Sequence, residues 1–523
     1  MPAAAILRLA RPLLVGLALL PAAVHAERSD WRQLSVRNIR LYSVLGESAT
    51  RSVALQLQTF EQTVGQLLQS EDRLADVPTL IYILNRRDFE KYTADRNGIS
   101  GFFAARPYQN LIVINGDEPL ETERIIVCHE YTHFIQRASR TMVLPPWFVE
   151  GYAELFSSFR ISKDRVVTRG DLAGRTTVSI DPQAWIPMER LLAVKQADAE
   201  YRTERLMPKF YGAAWALVHM LVFDDKTLRA PTYRYLQTMD LGLTEPEAFK
   251  NAFPFDKAGL DKALRLLLHR EVIHVLKWTL PAAVSVDQMP ITRVNEAQAD
   301  AESARLLFRL NRPNDVVLPL VAAALKQAPA DPGIRALAAR VATHAGEPAT
   351  DVGDLATLFA QGGGGDADLR TDVAATLVTR TSSEGSLRQA VAILDELVHT
   401  ERPPIEAIML WVGAATRAGT EPARVRDVLE PAAVRAPHST LLLSYLARVS
   451  QMLHDKPRAR DYYPRIILVS ADPNERLWAQ KLADSAELQD DPPPGTDRVG
   501  PAAPYPSEGA TWRTSRSTAV YNG

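Results

Sequence analysis

The feature that most constrains this chain is the run His129-Glu130-Tyr131-Thr132-His133, which is followed seventeen residues after His133 by Glu150. Residues four apart on a helix lie on one face and about one turn apart, so the two histidines can reach a common point. Glu130 lies about 100° round the same turn. A chain that uses this run must place it on a helix and bring Glu150 to it from a second segment.

Two histidines and a glutamate form a ligand set that suits Zn²⁺ and leaves one coordination position open for a reactant. The sequence therefore predicts zinc (Zn2+) bound by His129, His133 and Glu150, with Glu130 close enough to act on a water molecule. The alternative is a surface helix that carries the pattern by chance. Cys128 adjoins His129, but on a helix it points about 140° away from His133, so we expect a buried thiol rather than a ligand.

The composition describes an ordinary globular protein with more than one domain. The chain has 523 residues, enough for two or three domains. Its formal net charge is −2 and 23% of its residues are charged, so nothing in the composition indicates nucleic acid or an anionic membrane surface as a partner. Cys128 is the single cysteine, which excludes an intramolecular disulfide. Burial must therefore stabilise the folded domains without covalent crosslinks.

The N-terminus has the features of a secretory signal peptide. Arg8 and Arg11 precede an apolar run from residue 12 to residue 24, and Val24-His25-Ala26 places small residues at positions −3 and −1 of a cleavage site. We expect cleavage after Ala26 and a secreted or periplasmic protein, the alternative being an uncleaved membrane anchor. Because no later stretch is long and apolar enough to cross a bilayer, no stable membrane span is expected after cleavage.

Residues 27–120 alternate between strand-like and helix-like patterns, and the chain from about residue 210 to residue 285 has a mainly helical pattern. Runs such as 77–84 and 111–115 are rich in aliphatic and β-branched residues, whereas 52–69 carries apolar residues at helical spacing. The strand at 111–115 leads through an acidic loop into the helix with the two histidines. It is therefore a candidate edge strand for pairing with an extended substrate, and the alternative is an interior strand.

From about residue 290 to residue 487 the chain consists of Ala- and Leu-rich helical patterns. Ala330-Asp331-Pro332 recurs as Ala471-Asp472-Pro473, with Ala436-Pro437 between them, which indicates a unit of about 35 residues. Helix pairs of this length resemble tetratricopeptide (TPR) repeats, and such a solenoid offers a concave surface for a protein partner. An all-α domain without internal symmetry is the alternative. Residues 488–523 are rich in Pro, Gly, Ser and Thr and are predicted to be disordered.

Residues 39–285, about half of the chain, resemble the gluzincin zinc metallopeptidases, and specifically the peptidase-MA-like group known as DUF1570. The first two of three stretches are the specific ones. These stretches are Val127-Cys128-His129-Glu130-Tyr131-Thr132-His133-Phe134, Pro146-Trp147-Phe148-Val149-Glu150-Gly151-Tyr152-Ala153-Glu154-Leu155-Phe156 and Phe210-Tyr211-Gly212-Ala213-Ala214-Trp215-Ala216-Leu217-Val218-His219. The resemblance implies an α+β zincin-like N-terminal catalytic domain at 27–285, and the period of the later helices adds an all-α TPR-like solenoid at 290–487.

The resemblance also implies a role for each residue of the site. His129, His133 and Glu150 would bind zinc, and Glu130 would act as general base and later as proton donor. Glu154, four residues after Glu150, would accept the ring N–H of His129 and fix its tautomer. The reverse assignment of the two glutamates is the alternative. The connection from His133 to Glu150 is two or three residues shorter than in the best-known gluzincins, which bears on the geometry of the loop between the two helices.

A donor for the developing oxyanion is also needed. Tyr211 lies sixty-one residues after Glu150, where related enzymes place a Tyr or a His, and a phenol suits the role. His219 is the second candidate, about two helical turns later. The alternative for both residues is packing in a helical core.

The leading hypothesis is an exported zinc-dependent metallopeptidase that hydrolyses a peptide or protein substrate, with helical repeats that recruit the substrate or a protein partner. Glu130 favours this hypothesis because a protein that only binds has no need of a base. One alternative is a non-catalytic metal-containing binding or scaffold protein that acts through its repeats. Another is a metal-dependent hydrolase of non-peptide amides or esters, which would use the same chemistry in a pocket of different shape.

Overall fold

The computed structural model shows a mixed sheet near the N-terminus and a predominantly helical remainder. The predicted signal peptide (residues 1–26) and the predicted disordered tail (residues 488–523) lie outside the described residues. The structure describes residues 31–67, 78–93, 101–105, 108–117, 120–139, 144–161, 166–169, 185–195, 198–203, 205–241, 243–268, 276–279, 289–347, 354, 359, 366–379, 382–437, 439–470 and 473–484.

The order of the elements agrees with α and β elements followed by helices, so the predicted fold class is confirmed at this level. The strands are β1 (Arg32–Val36), β2 (Ile39–Ser43), β3 (Thr79–Leu84), β4 (Gly101–Ala105), β5 (Asn110–Asn115), β6 (Arg160–Ile161), β7 (Val166–Arg169), β8 (Leu276–Thr279) and β9 (Ile291–Arg293). The helices before β9 are α1 (Glu47–Leu67), α2 (Arg86–Tyr92), α3 (Leu120–Ser139), α4 (Pro146–Ser157), α5 (Met188–Ala193), α6 (Ala199–Arg202), α7 (Met207–Val218), a π-helix (His219–Asp224), a 3-10 turn (Lys226–Leu228), α8 (Arg229–Asp240), α9 (Glu245–Ala252) and α10 (Lys257–Leu268). The helices after β9 are α11 (Glu296–Arg309), α12 (Asn314–Gln327), α13 (Pro332–Ala345), α14 (Ala367–Leu377), α15 (Glu384–Val398), α16 (Ile405–Arg417), α17 (Pro422–Arg435), α18 (Thr440–Met452), α19 (Lys456–Val469) and α20 (Pro473–Asp484).

Six strands form a mixed sheet in the order β4-β5-β3-β2-β1-β9, and β6, β7 and β8 form a separate antiparallel sheet. β2, β3 and β5 run parallel, while β4 and β9 close the two edges in antiparallel pairs. Every residue of β3 and β5 is buried, as is usual for apolar runs in parallel strands. The hypothesis that residues 111–115 form an edge strand is therefore wrong. This run belongs to β5, between β4 and β3, and the edge strand on that side is Gly101–Ala105.

Apolar side chains cover both faces of the six-stranded sheet. On one face, α1 packs Val53 and Leu57 against Ile81 and its neighbours in the central strands. On the opposite face, Tyr82 belongs to a core that includes Leu306 of α11 and further residues of α12 and α13. Because successive residues of a strand point to opposite faces, the continuous apolar run of β3 supplies both cores.

The helical region begins on the sheet. β9 follows the predicted boundary at 285–290 and pairs with β1, and α11 shares a core with the strands. Farther on, Arg305 of α11 and Arg340 of α13 both donate to the carboxylate of Asp372 on α14, at 2.6 and 2.7 Å. All three side chains are buried, so this ion cluster joins the first helices of the region within the protein interior.

The later helices follow one another in pairs of similar length. α15, α17 and α19 begin at residues 384, 422 and 456, and each is followed by one partner helix. The motif at 330–332 marks a helix start, because Asp331 accepts hydrogen bonds from the backbone N–H groups of Gly333 and Ile334. A TPR-type solenoid stays a prediction. Within the described ranges, no helix combines the length and apolar character that a membrane crossing requires.

Candidate metal centre

Three helices build the candidate site. α3 carries both histidines, α4 carries Glu150, and α7 packs across α4 in the same apolar core. α4 begins with Pro146, whose missing N–H costs no hydrogen bond in the first turn of a helix. Nearly all of its side chains are buried, so α4 carries Glu150 into the core and not onto the surface.

The three predicted ligands converge on one point. His129 Nε2 lies 3.2 Å from His133 Nε2. Oε2 of Glu150 lies 3.5 Å from His129 Nε2 and 3.3 Å from His133 Nε2. The exposed fractions of these residues are 1%, 8% and 0% in chain order. The polar atoms therefore form a nearly equilateral triangle that is almost closed to bulk solvent.

The size of this triangle suits a tetrahedral ion. Zinc bonds of about 2.0–2.1 Å at the tetrahedral angle place neighbouring ligand atoms about 3.3–3.4 Å apart. The three observed separations of 3.2, 3.3 and 3.5 Å bracket that value. The described part of the chain thus contains a buried group, His129, His133 and Glu150, that could hold a metal ion.

The two glutamates of α4 face different atoms of the same histidine. Oε1 of Glu154 lies 3.3 Å from His129 Nδ1, whereas Oε2 of Glu150 approaches Nε2. Glu154 is also buried, with 1% of its surface exposed. A carboxylate on Nδ1 can hold the imidazole in the tautomer that leaves Nε2 available to a metal. The distances favour Glu150 over Glu154 as the ligand.

The charges of the cluster favour a bound proton when no metal is present. Burial opposes the shift, but the charge of His133 and hydrogen bonds to both histidines lower the pKa of Glu150 to about 2. Burial likewise opposes protonation of His129, but the charge of Glu154 and hydrogen bonds to both glutamates of α4 raise its pKa to about 9. A metal ion entering at neutral pH must therefore displace a proton from the cluster.

Glu130 and Cys128 flank the first histidine. Glu130 is outside the group of possible ligands, yet its charge contributes to the raised pKa of His129. It is buried beside the cluster, with 7% of its surface exposed. Cys128 is a buried thiol, as its helical angle predicted. Because consecutive residues of a helix point in different directions, Glu130 and Cys128 lie on different sides of His129.

The two candidate donors for transition-state stabilisation lie in different surroundings. The ring of Tyr211 stacks on the ring of His129, with centroids 5.8 Å apart and an interplanar angle of 20°. His219 begins the π-helix that follows α7, and its buried ring lies against Trp215 at a centroid distance of 5.3 Å. Tyr211 is thus the candidate that contacts a possible metal ligand.

Gly151 lies at a close contact between α4 and α7 that the sequence reasoning missed. A Cβ built at Gly151 would lie 2.2 Å from the backbone oxygen of Ala214 and 2.7 Å from Cγ2 of Val218. α4 and α7 therefore touch backbone to backbone, immediately after Glu150 and one turn from Tyr211. The available signal was a glycine inside a strongly apolar helix, where glycine is costly unless a close approach requires it.

Comparison with known proteins returned no match to a protein-family model, to a curated protein or to a solved structure. The resemblance to gluzincins therefore stays a prediction from the motifs. The case for the site rests on the convergence of His129, His133 and Glu150, on the neighbouring Glu130 and Tyr211, and on the burial of the whole group.

Proposed function

We propose that the protein is an exported zinc-dependent metallopeptidase of the gluzincin type, with a zincin-like catalytic domain and a TPR-like helical array. The observation that carries the proposal is the triangle of buried ligand atoms, 3.2 to 3.5 Å on a side, with a glutamate directly beside it. Histidine nitrogens and one carboxylate oxygen are ligands that zinc accepts, and three protein ligands leave a position for a reactant. The base and the ligands together support hydrolysis over storage of a structural ion.

In this proposal each residue of the site has a separate task. His129, His133 and Glu150 would hold the ion, and Glu154 would keep His129 in the correct tautomer. A zinc ion held there would supply a Lewis acid for the substrate carbonyl and for the attacking water. Glu130 would take the proton of that water and later deliver it to the departing amine.

Tyr211 would complete the site by donating its phenolic hydrogen to the oxygen that gains negative charge. The support for this role is that its ring stacks on the ring of His129, one of the proposed ligands. A hydrogen bond that forms only as charge develops lowers the barrier without strengthening substrate binding. Tyr211 is therefore expected to act on kcat more than on KM.

The edge strand β4 would hold the backbone of an extended substrate. β4 pairs with β5 on one side and ends the described sheet on the other. Phe103 of β4 packs against Tyr131 and Phe134 of α3, with ring centroids 6.2 and 6.5 Å apart. The strand therefore packs against α3, the helix that carries the two histidines, and its free edge could pair with the main chain of a peptide.

The test is metal analysis of the purified protein together with cleavage of a diverse peptide library. We expect about one zinc per chain and metal-dependent hydrolysis. Glu130→Gln should retain zinc and lose hydrolysis by at least about 10²-fold, since it removes the base and keeps the ligands. Glu90→Gln, at an exposed position of α2, is the matched control.

Unchanged hydrolysis in Glu130→Gln would refute the proposal. Zinc-loaded protein that cleaves esters or non-peptide amides but no peptide would redirect it to a different hydrolase. Zinc-loaded protein that cleaves none of these, and binds one protein through its helical array, would support a binding or scaffold protein instead.

A further inference from the structure

A buried carboxyl group lies behind the metal centre and has no part in the chemistry proposed above. The hydroxyl of Tyr131 donates a hydrogen bond to Oε2 of Glu61 at 2.9 Å. Tyr131 is fully buried and Glu61 is 4% exposed. Glu61 belongs to α1 and Tyr131 to α3, so this hydrogen bond joins the two helices.

The surroundings of Glu61 form a small polar cluster below the sheet. Asn38, in the turn between β1 and β2, hydrogen-bonds to Glu61, and Tyr131 is also hydrogen-bonded to Asn38 and Thr79. Among the described residues, the titratable or charged groups acting on Glu61 are Tyr131 from α3 and Arg37 from the turn. The neighbouring Phe60 packs against the rings of Tyr131, Phe156 and Phe159 in the adjoining apolar core.

Tyr131 is placed to control the rotation of α3. It lies two residues from each histidine, which on a helix is about 200° round the axis, on the face opposite the ligands. A rotation of α3 by about 10° would move an atom some 7 Å from its axis by roughly 1 Å. The ligand triangle tolerates no such shift, since zinc–ligand bonds are defined to within about 0.2 Å.

We propose that Glu61 is a positioning residue of the metal centre, which holds Tyr131 and thereby sets the rotation of α3 and the placing of the two histidines and Glu130. The inference deepens the proposed function and rests on it. A carboxylate is suited to this task because hydrogen bonds to a charged acceptor are shorter and stronger than those to a neutral one.

The energetics of Glu61 separate this role from plain packing. Burial raises the pKa of Glu61 to about 7, although the hydrogen bonds of Tyr131 and Asn38 and the charge of Arg37 oppose the shift. The ionised side chain therefore lowers the free energy of unfolding above that pH, and an amide of the same shape would not do so. A residue kept only for stability is not expected to be an acid at this place.

The experiment compares the full-length wild type with Glu61→Gln, Tyr131→Phe and the double variant. Asp300→Asn is the matched control, because Asp300 is a buried carboxyl group on α11 held by Gln327 at 3.1 Å, away from α3. The first readout is amide hydrogen exchange of residues 127–135 in metal-free protein at pH 8. The second is zinc affinity from pH 5.5 to 8.5, measured by competition with a chromogenic chelator, and the third is the melting temperature.

At pH 8, we expect Glu61→Gln to exchange faster in residues 127–135 and to bind zinc about tenfold more weakly, the loss typical of a partner that orients ligands. Its melting temperature should nevertheless be higher than that of the wild type. At pH 5.5 the zinc affinities should converge, since Glu61 is then protonated. Tyr131→Phe should lose affinity at pH 8 to a similar extent, and the double variant should lose no more than the single ones.

Two results would overturn the inference. One is equal exchange of residues 127–135 in the wild type and Glu61→Gln at pH 8, and the other is a loss of zinc affinity that is independent of pH or shared by Asp300→Asn. A wild type that binds no zinc would refute the proposed function, and the exchange measurement would still decide whether Glu61 holds α3.

Discussion

Replacing Gly151 by alanine tests whether the contact between α4 and α7 sets the geometry of the site. The new Cβ would lie 2.2 Å from the backbone oxygen of Ala214, 2.6 Å from its carbonyl carbon and 2.7 Å from Cγ2 of Val218. An ordinary contact at the backbone oxygen needs at least 3.4 Å, so the helices must separate by about 1.2 Å. A backbone oxygen cannot rotate away as a flexible side chain can.

The expected consequences follow from this displacement. Overpacking lowers the free energy of unfolding by about 1–3 kcal/mol, and the higher helix propensity of alanine offsets up to about 1 kcal/mol of this loss. We therefore expect a net loss of about 1–2 kcal/mol in the free energy of unfolding. Tyr211, the proposed oxyanion donor, lies on α7 one turn before Ala214. Under the proposed function, a shift near 1 Å should therefore misplace its hydroxyl and lower kcat up to about 10²-fold. Zinc affinity should change less, because the proposed ligands lie on α3 and α4.

The assay combines denaturant unfolding, zinc affinity and peptide hydrolysis on Gly151→Ala. Gly385→Ala is the matched control, since the nearest atom to its Cβ would be Oγ of Ser383 at an ordinary 3.7 Å. The control should be neutral or slightly stabilising. Activity within twofold of the wild type in Gly151→Ala, with unfolding unchanged, would refute the claim that the close approach positions Tyr211.

Three further predictions concern the proton of the cluster, the phenol and the buried ion cluster. In metal-free protein the folded-state pKa of His129 is about 9, above its unfolded value of about 6.5. Protonated His129 therefore contributes about 3 kcal/mol to the free energy of unfolding below pH 6.5, and this contribution is lost as the pH rises through 9, which thermal unfolding should show. Zinc affinity measured over the same pH range should rise by up to about tenfold per pH unit. Tyr211→Phe should lower kcat by about 10- to 10²-fold with little change in KM or zinc content, and steady-state kinetics with an unaffected kcat would contradict its role. Asp372→Asn leaves Arg305 and Arg340 buried without their shared carboxylate, so urea unfolding should show a loss of about 3 kcal/mol, whereas an unchanged midpoint would mean that solvent or other acceptors replace it.

The parts of the site that follow from local periodicity could be predicted from the sequence. Backbone hydrogen bonds set the pitch of a helix, so the spacing of His129 and His133 places them on one face, and the position of Cys128 directs its thiol elsewhere. The apolar runs at 77–84 and 111–115 appear as β3 and β5 within two residues, because alternation of side chains is also a local property of a strand. Helix starts at the Asp-Pro motifs are equally local, because Asp331 caps the N–H groups that follow it.

Only the tertiary structure decided which distant segments meet. The order of strands in the sheet depends on the whole chain. The apolar pattern of residues 111–115 would therefore be the same for an interior strand and for an edge strand. Which of Glu150 and Glu154 faces Nε2 of His129 depends on the crossing of α3 and α4. A residue pattern records the direction of side chains on one element, whereas contacts between elements depend on packing across the core. For that reason the sequence by itself determined that His129 and His133 share one helix face with Glu130 beside them. The fold decided that α7 packs against α4 at Gly151 and that Glu61 hydrogen-bonds to Tyr131.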